Sequence, residues 1–252
     1  MLNMFSLEGK VAIVTGCNTG LGQGMALALA KAGAKVVGVN RTNPVETAEL
    51  IKEAGGEFLN VMADVSSSET PSRVLDETII TFGRVDVLVN NAGIIRRNDA
   101  IDFTEKDWDD VMDVNLKSVF FLSQAFAKQV IKQGSSGSIV NIASMLSYQG
   151  GIRVPSYTAS KSGILGLTRL LANEWAKDGI NVNAIAPGYM ATNNTEALRN
   201  DESRSAEILG RIPAGRWGEP DDVAGPVVFL SSDASRYVNG YTLAVDGGWL
   251  AR

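Results

Sequence analysis

Short, unbroken apolar runs alternate with longer amphipathic stretches along the whole chain. The runs at 11–15, 35–39, 58–62, 85–90, 138–142, 181–186 and 241–245 are apolar and mostly β-branched. Continuous rather than alternating apolarity marks strands that are covered on both faces. Between them apolar residues recur at helical spacing, most clearly at 21–32, 104–132 and 156–177. Strand and helix in regular alternation mean parallel pairing through crossovers. The pattern predicts an α/β fold: a single domain over 1–252, built on a doubly wound parallel sheet of about seven strands with helices on both faces. Such sheets hold ligands beyond the carboxyl ends of their strands. One polar, helix-prone stretch, 190–213, breaks the rhythm beside that edge, and its length predicts a substrate-covering insertion.

Composition narrows the chemistry. The 252 residues are 45% hydrophobic, enough for a large buried core. Histidine is absent, which removes imidazole triads, HExxH sites and histidine-based zinc centres. Cys17 is the single cysteine, so no intrachain disulfide and no thiolate cluster can form, and no metal site is expected. Net charge is −5 and no basic run exceeds Arg96-Arg97, which argues against a nucleic-acid partner. No apolar stretch approaches the roughly 20 residues that span a bilayer. Residues 1–10 lack a charged-then-apolar signal, so a cytoplasmic location away from membranes is expected.

The first predicted strand runs into Thr15-Gly16-Cys17-Asn18-Thr19-Gly20-Leu21-Gly22 and then a helix. Glycines let backbone approach a ligand closely, and a helix N-terminus offers free N–H donors to a pyrophosphate. The same glycines also suit an ordinary tight turn, and Cys17 reads most simply as a small filler. The second strand ends in Asn40-Arg41, where dinucleotide folds usually carry an acid for the ribose hydroxyls or an arginine for a 2′-phosphate. Asn40 can accept from a ribose hydroxyl. Arg41 can pair with a phosphate, stack on adenine, or be solvated.

Tyr157 and Lys161 stand at i and i+4 near the start of a predicted helix, on one face. A phenol titrates near pH 10, and a neighbouring ammonium is expected to draw it toward the working range. In a chain without histidine such a pair is one of few routes to general acid–base chemistry, although the spacing also fits a half-exposed tyrosine and a solvated lysine. Ser144 follows the fifth strand, where its hydroxyl can donate to a substrate carbonyl. Asn90-Asn91-Ala92-Gly93 closes the fourth strand, and Asn115 lies inside a predicted helix, an unfavourable place without local work. Pro187-Gly188 ends the sixth strand.

Together with Asp64 and Thr192, these motifs resemble the short-chain dehydrogenase/reductase family, and the resemblance spans essentially the whole chain. It implies a Rossmann-type fold in which Tyr157 exchanges a proton with the substrate oxygen. Lys161 would lower the phenol's pKa and hold the nicotinamide ribose, Ser144 would orient the carbonyl, and Asn115 would position a relay water. It implies cofactor contacts from Gly16, Asn18, Thr19, Gly20, Leu21, Gly22, Asn40, Arg41, Asp64, Val65, Asn91, Ala92, Gly93, Tyr157 and Lys161. Pro187, Gly188, Met190 and Thr192 would hold the carboxamide end. A homotetramer is also implied.

Longer stretches, among them Ser156–Lys161, Ala186–Asn194, Arg211–Trp217 and Val245–Arg252, are similar to family members that act on deoxygluconates. That similarity implies a small-molecule sugar-acid substrate, with 2-keto-3-deoxygluconate passing to its 2,5-diketo form, or 2-deoxygluconate to the 3-keto acid, in uronate and pectin breakdown. The cofactor expected is NAD, with NADP possible because of Arg41. A carboxylate substrate wants a guanidinium. Arg153 is the first candidate, then Arg96 or Arg97. Gln149, Asn193 and Asn194 are candidate hydroxyl partners, with Ser144 and Tyr157 at the reacting oxygen. Trp217 and Trp249 read as packing or subunit-contact residues. The alternatives are an NADPH-dependent 3-ketoacyl carrier-protein reductase and a nucleotide sensor without catalysis.

Overall fold

The chain is described from a computed structural model that covers residues 3–252; the side chain of Asn194 lies outside the described residues. Seven strands form one sheet: β1 (Val11–Thr15), β2 (Lys35–Asn40), β3 (Phe58–Met62), β4 (Val87–Asn90), β5 (Gly137–Ile142), β6 (Ile180–Pro187) and β7 (Thr242–Val245). Their order is β3-β2-β1-β4-β5-β6-β7 and every pairing is parallel. Strand order reverses between β1 and β4, so the carboxyl ends of those two strands open on the switch point.

The connections are α1 (Gly20–Lys31), α2 (Val45–Glu53), α3 (Thr70–Phe82), α4 (Glu105–Met112), α5 (Ser118–Gln133), α6 (Pro155–Trp175), α7 (Glu196–Asn200), α8 (Glu202–Arg211) and α9 (Ala224–Ser231). Alternate residues of each strand face opposite layers. Ala12 and Val14 pack with Met25 and Leu29 of α1, Ile51 of α2 and Val227 and Leu230 of α9. Val11 and Ile13 pack with Val74 of α3, Leu122 and Phe126 of α5 and Leu171 of α6. Both faces are therefore covered over the inner strands, which is why β1, β2 and β4 read as apolar runs, while the edge strands β3 and β7 stay half-buried.

Two departures from the sequence pattern bear on function. The segment expected as one helix over 104–132 is broken by a π-helical turn at Asp113–Lys117, centred on the fully buried Asn115. Such a turn frees a local carbonyl and re-aims a side chain, which is why π turns gather at functional sites. The stretch 190–213 is a short 3-10 turn followed by α7 and α8. It packs through Ile208 and Ile212 onto Met145 and Trp249, forming a fourth apolar cluster apart from the two sheet faces. Trp217 and Trp249 belong to this intrachain cluster.

Candidate active site

A cleft of about 430 Å³ runs along the carboxyl edge of the sheet across the switch point. Its phosphate end is built by backbone. Thr15 Oγ1 accepts from the backbone N–H groups of Asn91 (3.0 Å) and Ala92 (2.9 Å), joining the ends of β1 and β4. The Asn91 carboxamide donates to the carbonyls of Thr15 and Gly16, both at 2.9 Å. Gly16 has φ +65°, and a Cβ on Gly22 would stand 2.1 Å from the Gly16 carbonyl oxygen. A side chain at either position would destroy the turn. No side chain caps the first turn of α1, so its N–H groups face the cleft's phosphate end. This cradle fits a dinucleotide pyrophosphate.

Of the expected cofactor residues, Gly16, Asn18, Thr19, Gly20, Leu21, Gly22, Asn40, Arg41, Asp64, Val65, Asn91, Ala92, Gly93, Tyr157, Lys161 and Thr192 line the cleft, as does Asn193. Met190, Pro187 and Gly188 do not. Met190 is buried in the core with its sulfur against Gly218, and Gly188 abuts Asp246 and bonds the Val245 carbonyl. The Asn40 carboxamide is also turned away from ribose. It is 3% exposed, accepts the Cys17 N–H at 2.8 Å and donates to the Cys17 sulfur at 3.4 Å. Thr47 Oγ1 donates to the Cys17 carbonyl at 2.8 Å, so Cys17 anchors the loop, and burial pushes its thiol up to about 11. The adenosine end is left to Asn18, Arg41, Thr42 and Asp64. Hydrogen bonds from Ser66, assisted by the Arg41 charge, hold the Asp64 carboxyl below the usual carboxylate range. Thr42, Ile94 and Ile142 also line the cleft and were not foreseen. Their only signal was adjacency to Arg41, to the Asn-Asn-Ala-Gly turn and to Ser144.

Tyr157 and Lys161 line the other end of the cleft. In the loop after β5, Ser144 caps the turn Met145–Ser147, its hydroxyl accepting from the Leu146 N–H at 3.1 Å. The same hydroxyl favours the ionised form of the Tyr157 phenol and so lowers its pKa. Ser147 Oγ donates to the Lys161 carbonyl at 2.6 Å, clamping this loop to α6. Lys161 Nζ donates to the Ile142 carbonyl at 2.6 Å and stands 5.7 Å from the centre of the Tyr157 ring.

The expected lowering of the phenol by Lys161 is not what this geometry delivers. Burial dominates and raises the Tyr157 pKa; the Ser144 hydrogen bond and the charge of Arg97 oppose it. Lys161 is itself pushed down to about 8 by burial, its ammonium spent on a carbonyl rather than on the phenol oxygen. Asn115 clasps the strand that leaves β4, with Oδ1 accepting from Ile94 N–H at 2.8 Å and Nδ2 donating to Ile94 O at 2.9 Å. Nδ2 also reaches Ser160 of α6, whose hydroxyl donates to the Tyr157 carbonyl.

The substrate candidates divide. Arg97 is the one whose charge reaches the phenol. Arg153 is exposed, has a left-handed backbone (φ +63°) and is paired with Asp99 at 3.0 Å; like Arg97 it does not line the cleft itself. Arg96 pairs with Asp107 and Asp110 of α4. Gln149 is spent as an acceptor for Trp249 Nε1 (3.2 Å) and Arg211 (3.4 Å), so it ties loop, tail and α8 together instead of meeting a hydroxyl.

Known proteins resemble the chain throughout. The family model described as enoyl-(acyl carrier protein) reductase matches residues 16–250. A 2-dehydro-3-deoxy-D-gluconate 5-dehydrogenase of Escherichia coli (strain K12) is 68% identical over 100% of both chains. The protein of that name from Dickeya dadantii (strain 3937) is 66% identical, again over 100% of both. A crystal structure from Agrobacterium tumefaciens, provisionally assigned as a 2-deoxy-D-gluconate 3-dehydrogenase and holding NADP, superposes with a TM-score of 0.94 at 60% identity, covering 99% of this chain and 100% of that one. The chain belongs to the short-chain dehydrogenase/reductase family.

Proposed function

We propose that this chain is an NAD(P)(H)-linked dehydrogenase of a sugar acid, interconverting 2-keto-3-deoxygluconate and its 2,5-diketo form in uronate and pectin breakdown. The observation that carries the reading is the placement of Tyr157 and buried Lys161, one turn apart on α6, in the lining of a cleft whose opposite end is a pyrophosphate cradle. Whole-length identity to the Escherichia coli dehydrogenase supports the substrate.

A bound nicotinamide dinucleotide supplies the hydride acceptor or donor. In reduction the Tyr157 phenol gives its proton to the substrate oxygen as the carbon gains hydride, leaving a phenolate; in oxidation that phenolate takes the proton of the substrate hydroxyl as the carbon loses hydride. Ser144 donates to the same oxygen and opposes the charge that develops there. Lys161 holds ribose hydroxyls and hands protons onward from the phenol, its pKa near 8 suiting it to both states. Asn115 keeps the segment after β4 closed against α6 and is the anchor for a relay water. Arg97 is the partner of the substrate carboxylate, and α7–α8 form the cover over this end.

At the adenosine end no carboxylate stands after β2 and Asn40 is turned inward, so Arg41 and Thr42 admit a 2′-phosphate as well as a bare hydroxyl. NAD is the expected cofactor, with NADP also accepted. Exposed Trp108, Phe121 and Leu170 on α4, α5 and α6 support a homotetramer. No helix among the described residues is long and apolar enough to cross a membrane; the enzyme is proposed to work in the cytoplasm.

The test follows reduced-nicotinamide absorbance with 2-keto-3-deoxygluconate, 2-deoxygluconate and gluconate, each against NAD and NADP. Turnover of the first above the others supports the reading. Activity confined to 3-ketoacyl thioesters overturns it.

A further inference from the structure

Among the described residues Arg153 is the sole non-glycine with a left-handed backbone, at φ +63°. For a long side chain that conformation costs on the order of 1 kcal/mol and persists where its surroundings over-determine it. Two bonds do so. The Arg153 carbonyl accepts from the Asn98 N–H at 3.1 Å, and Arg153 Nε lies 3.0 Å from Asp99 Oδ1. The ion pair is well exposed, at 59% and 63%, and such pairs stabilise a fold by about 1 kcal/mol or less. It barely offsets the strain, so global stability is a poor reason for it.

What the two bonds do is join the loop before α6 to the loop after β4. That second loop is held on both flanks: Asn115 clasps Ile94, Arg96 pairs with Asp107 and Asp110, and Arg153 takes Asn98 and Asp99. Arg97 is the residue between these fixed points, and its charge is felt at the Tyr157 phenol. We infer that the Arg153–Asp99 pair is a positioning strut that fixes the base of Arg97 so that its guanidinium meets the substrate carboxylate. The inference rests on the reading of Arg97 given above. It reassigns Arg153 from ligand to support.

The test compares KM and kcat for a sugar acid and for the corresponding neutral polyol in Asp99→Ala, Arg153→Gly, Arg97→Ala and Arg97→Ala combined with Asp99→Ala. Glycine accepts the left-handed backbone and keeps the carbonyl acceptor, so Arg153→Gly isolates the ion pair. Asp99→Ala and Arg153→Gly are each expected to raise the sugar-acid KM about two- to fivefold, the worth of an exposed pair. The kcat and the polyol KM stay put. In the Arg97→Ala background Asp99→Ala adds nothing, and exchanging the pair as Arg153→Asp with Asp99→Arg restores KM. Equal effects on acid and polyol, or an undiminished effect of Asp99→Ala without Arg97, overturn the strut alone. If Arg97→Ala leaves the acid-to-polyol ratio unchanged, the carboxylate reading of Arg97 falls and the strut falls with it.

Discussion

At the phosphate end of the cleft the main fixed points are backbone groups held by side chains: Thr15 on Asn91 and Ala92, Asn91 on Thr15 and Gly16, Asn40 and Thr47 on Cys17. At the substrate end side chains also hold one another, and the chain's tail, across long stretches of sequence. Gln149 meets Trp249, Arg211 lies 4.0 Å over the Trp249 ring, and Arg252 donates to the carbonyls of Gly210 and Arg211 that end α8. Tyr189 packs between Trp217 and Trp249, at centroid distances of 5.5 and 4.8 Å. A template of backbone suits a ligand that is the same in every reaction, while a mesh of side chains can be refitted to another substrate. The two ends are then separable, and a change at one should leave the other's ligand untouched.

Tyr157 stands where the ends meet, and replacing it gives the largest effect. Tyr157→Phe removes the hydroxyl that exchanges the substrate's proton but none of the cradle. Its kcat is expected to fall by about 10²–10⁴, with dinucleotide affinity, titrated by protein fluorescence, unchanged. A parallel loss of dinucleotide binding would mean that the ends are not independent.

Trp249→Ala probes the side-chain mesh. Trp249 is 4% exposed within the cluster formed with Met145, Ile208 and Ile212. Deleting a large buried aromatic costs about 3–5 kcal/mol. Because this cluster is separate from the two sheet faces, the loss should be local. Amide hydrogen exchange is expected to accelerate in α8 and the tail while β1, β4 and β5 stay protected, and KM for the sugar acid should rise. Uniform deprotection of the sheet would show one cooperative unit instead of two.

The same contrast explains what was legible beforehand. The inner strands appear in the sequence because burial on both faces writes itself as local apolar runs, the half-buried edge strands β3 and β7 because they remain short apolar runs between helices, and the phosphate loop because its glycines lie within seven residues. Asn115 was visible as an asparagine in a helix, though not that its two bonds to Ile94 open a π turn. The partners that Asn40, Gln149 and Arg153 hold within the chain were not legible in the sequence, for one reason. Their partners, Cys17, Trp249 and Asp99, are 23, 100 and 54 residues away, and a polar side chain's partner at that distance leaves no local pattern.

Lys161 and Tyr157 titrate in opposite senses, and this gives a pH test of the junction. Burial lowers Lys161 from 10.5 to about 8, so between those values the unfolded chain binds more protons than the folded one and stability rises with pH. Tyr157 is raised above 10, so there the folded chain keeps a proton that the unfolded one loses and stability falls. Cys17, raised from 9.0 to about 11, keeps its proton in the folded chain and offsets the climb above pH 9. In a Cys17→Ala background, urea unfolding is therefore expected to show stability climbing by up to the order of 3 kcal/mol from pH 8 toward a crest near pH 10. Adding Lys161→Met should abolish the climb. A flat profile in the Cys17→Ala background would mean that the ammonium is solvated and the junction open.

The smallest effects make the sharpest comparison, since each removes one polar side chain and its two hydrogen bonds at one end. Asn40→Ala leaves the buried Cys17 N–H without its acceptor, and Gln149→Ala does the same to Trp249 Nε1. Each is expected to cost about 1–2 kcal/mol at its own end. For Asn40→Ala that cost should appear as weaker NAD and NADP binding in equal proportion, because Asn40 holds the loop and does not read the ribose; KM for the sugar acid stays constant. For Gln149→Ala the pattern inverts, with the sugar-acid KM raised and both dinucleotide affinities preserved. A shift in the NAD-to-NADP ratio of Asn40→Ala would return Asn40 to the ribose. Crossed effects on the opposite ligand would show that the cleft is one continuous network and that the division between backbone template and side-chain mesh has no energetic meaning.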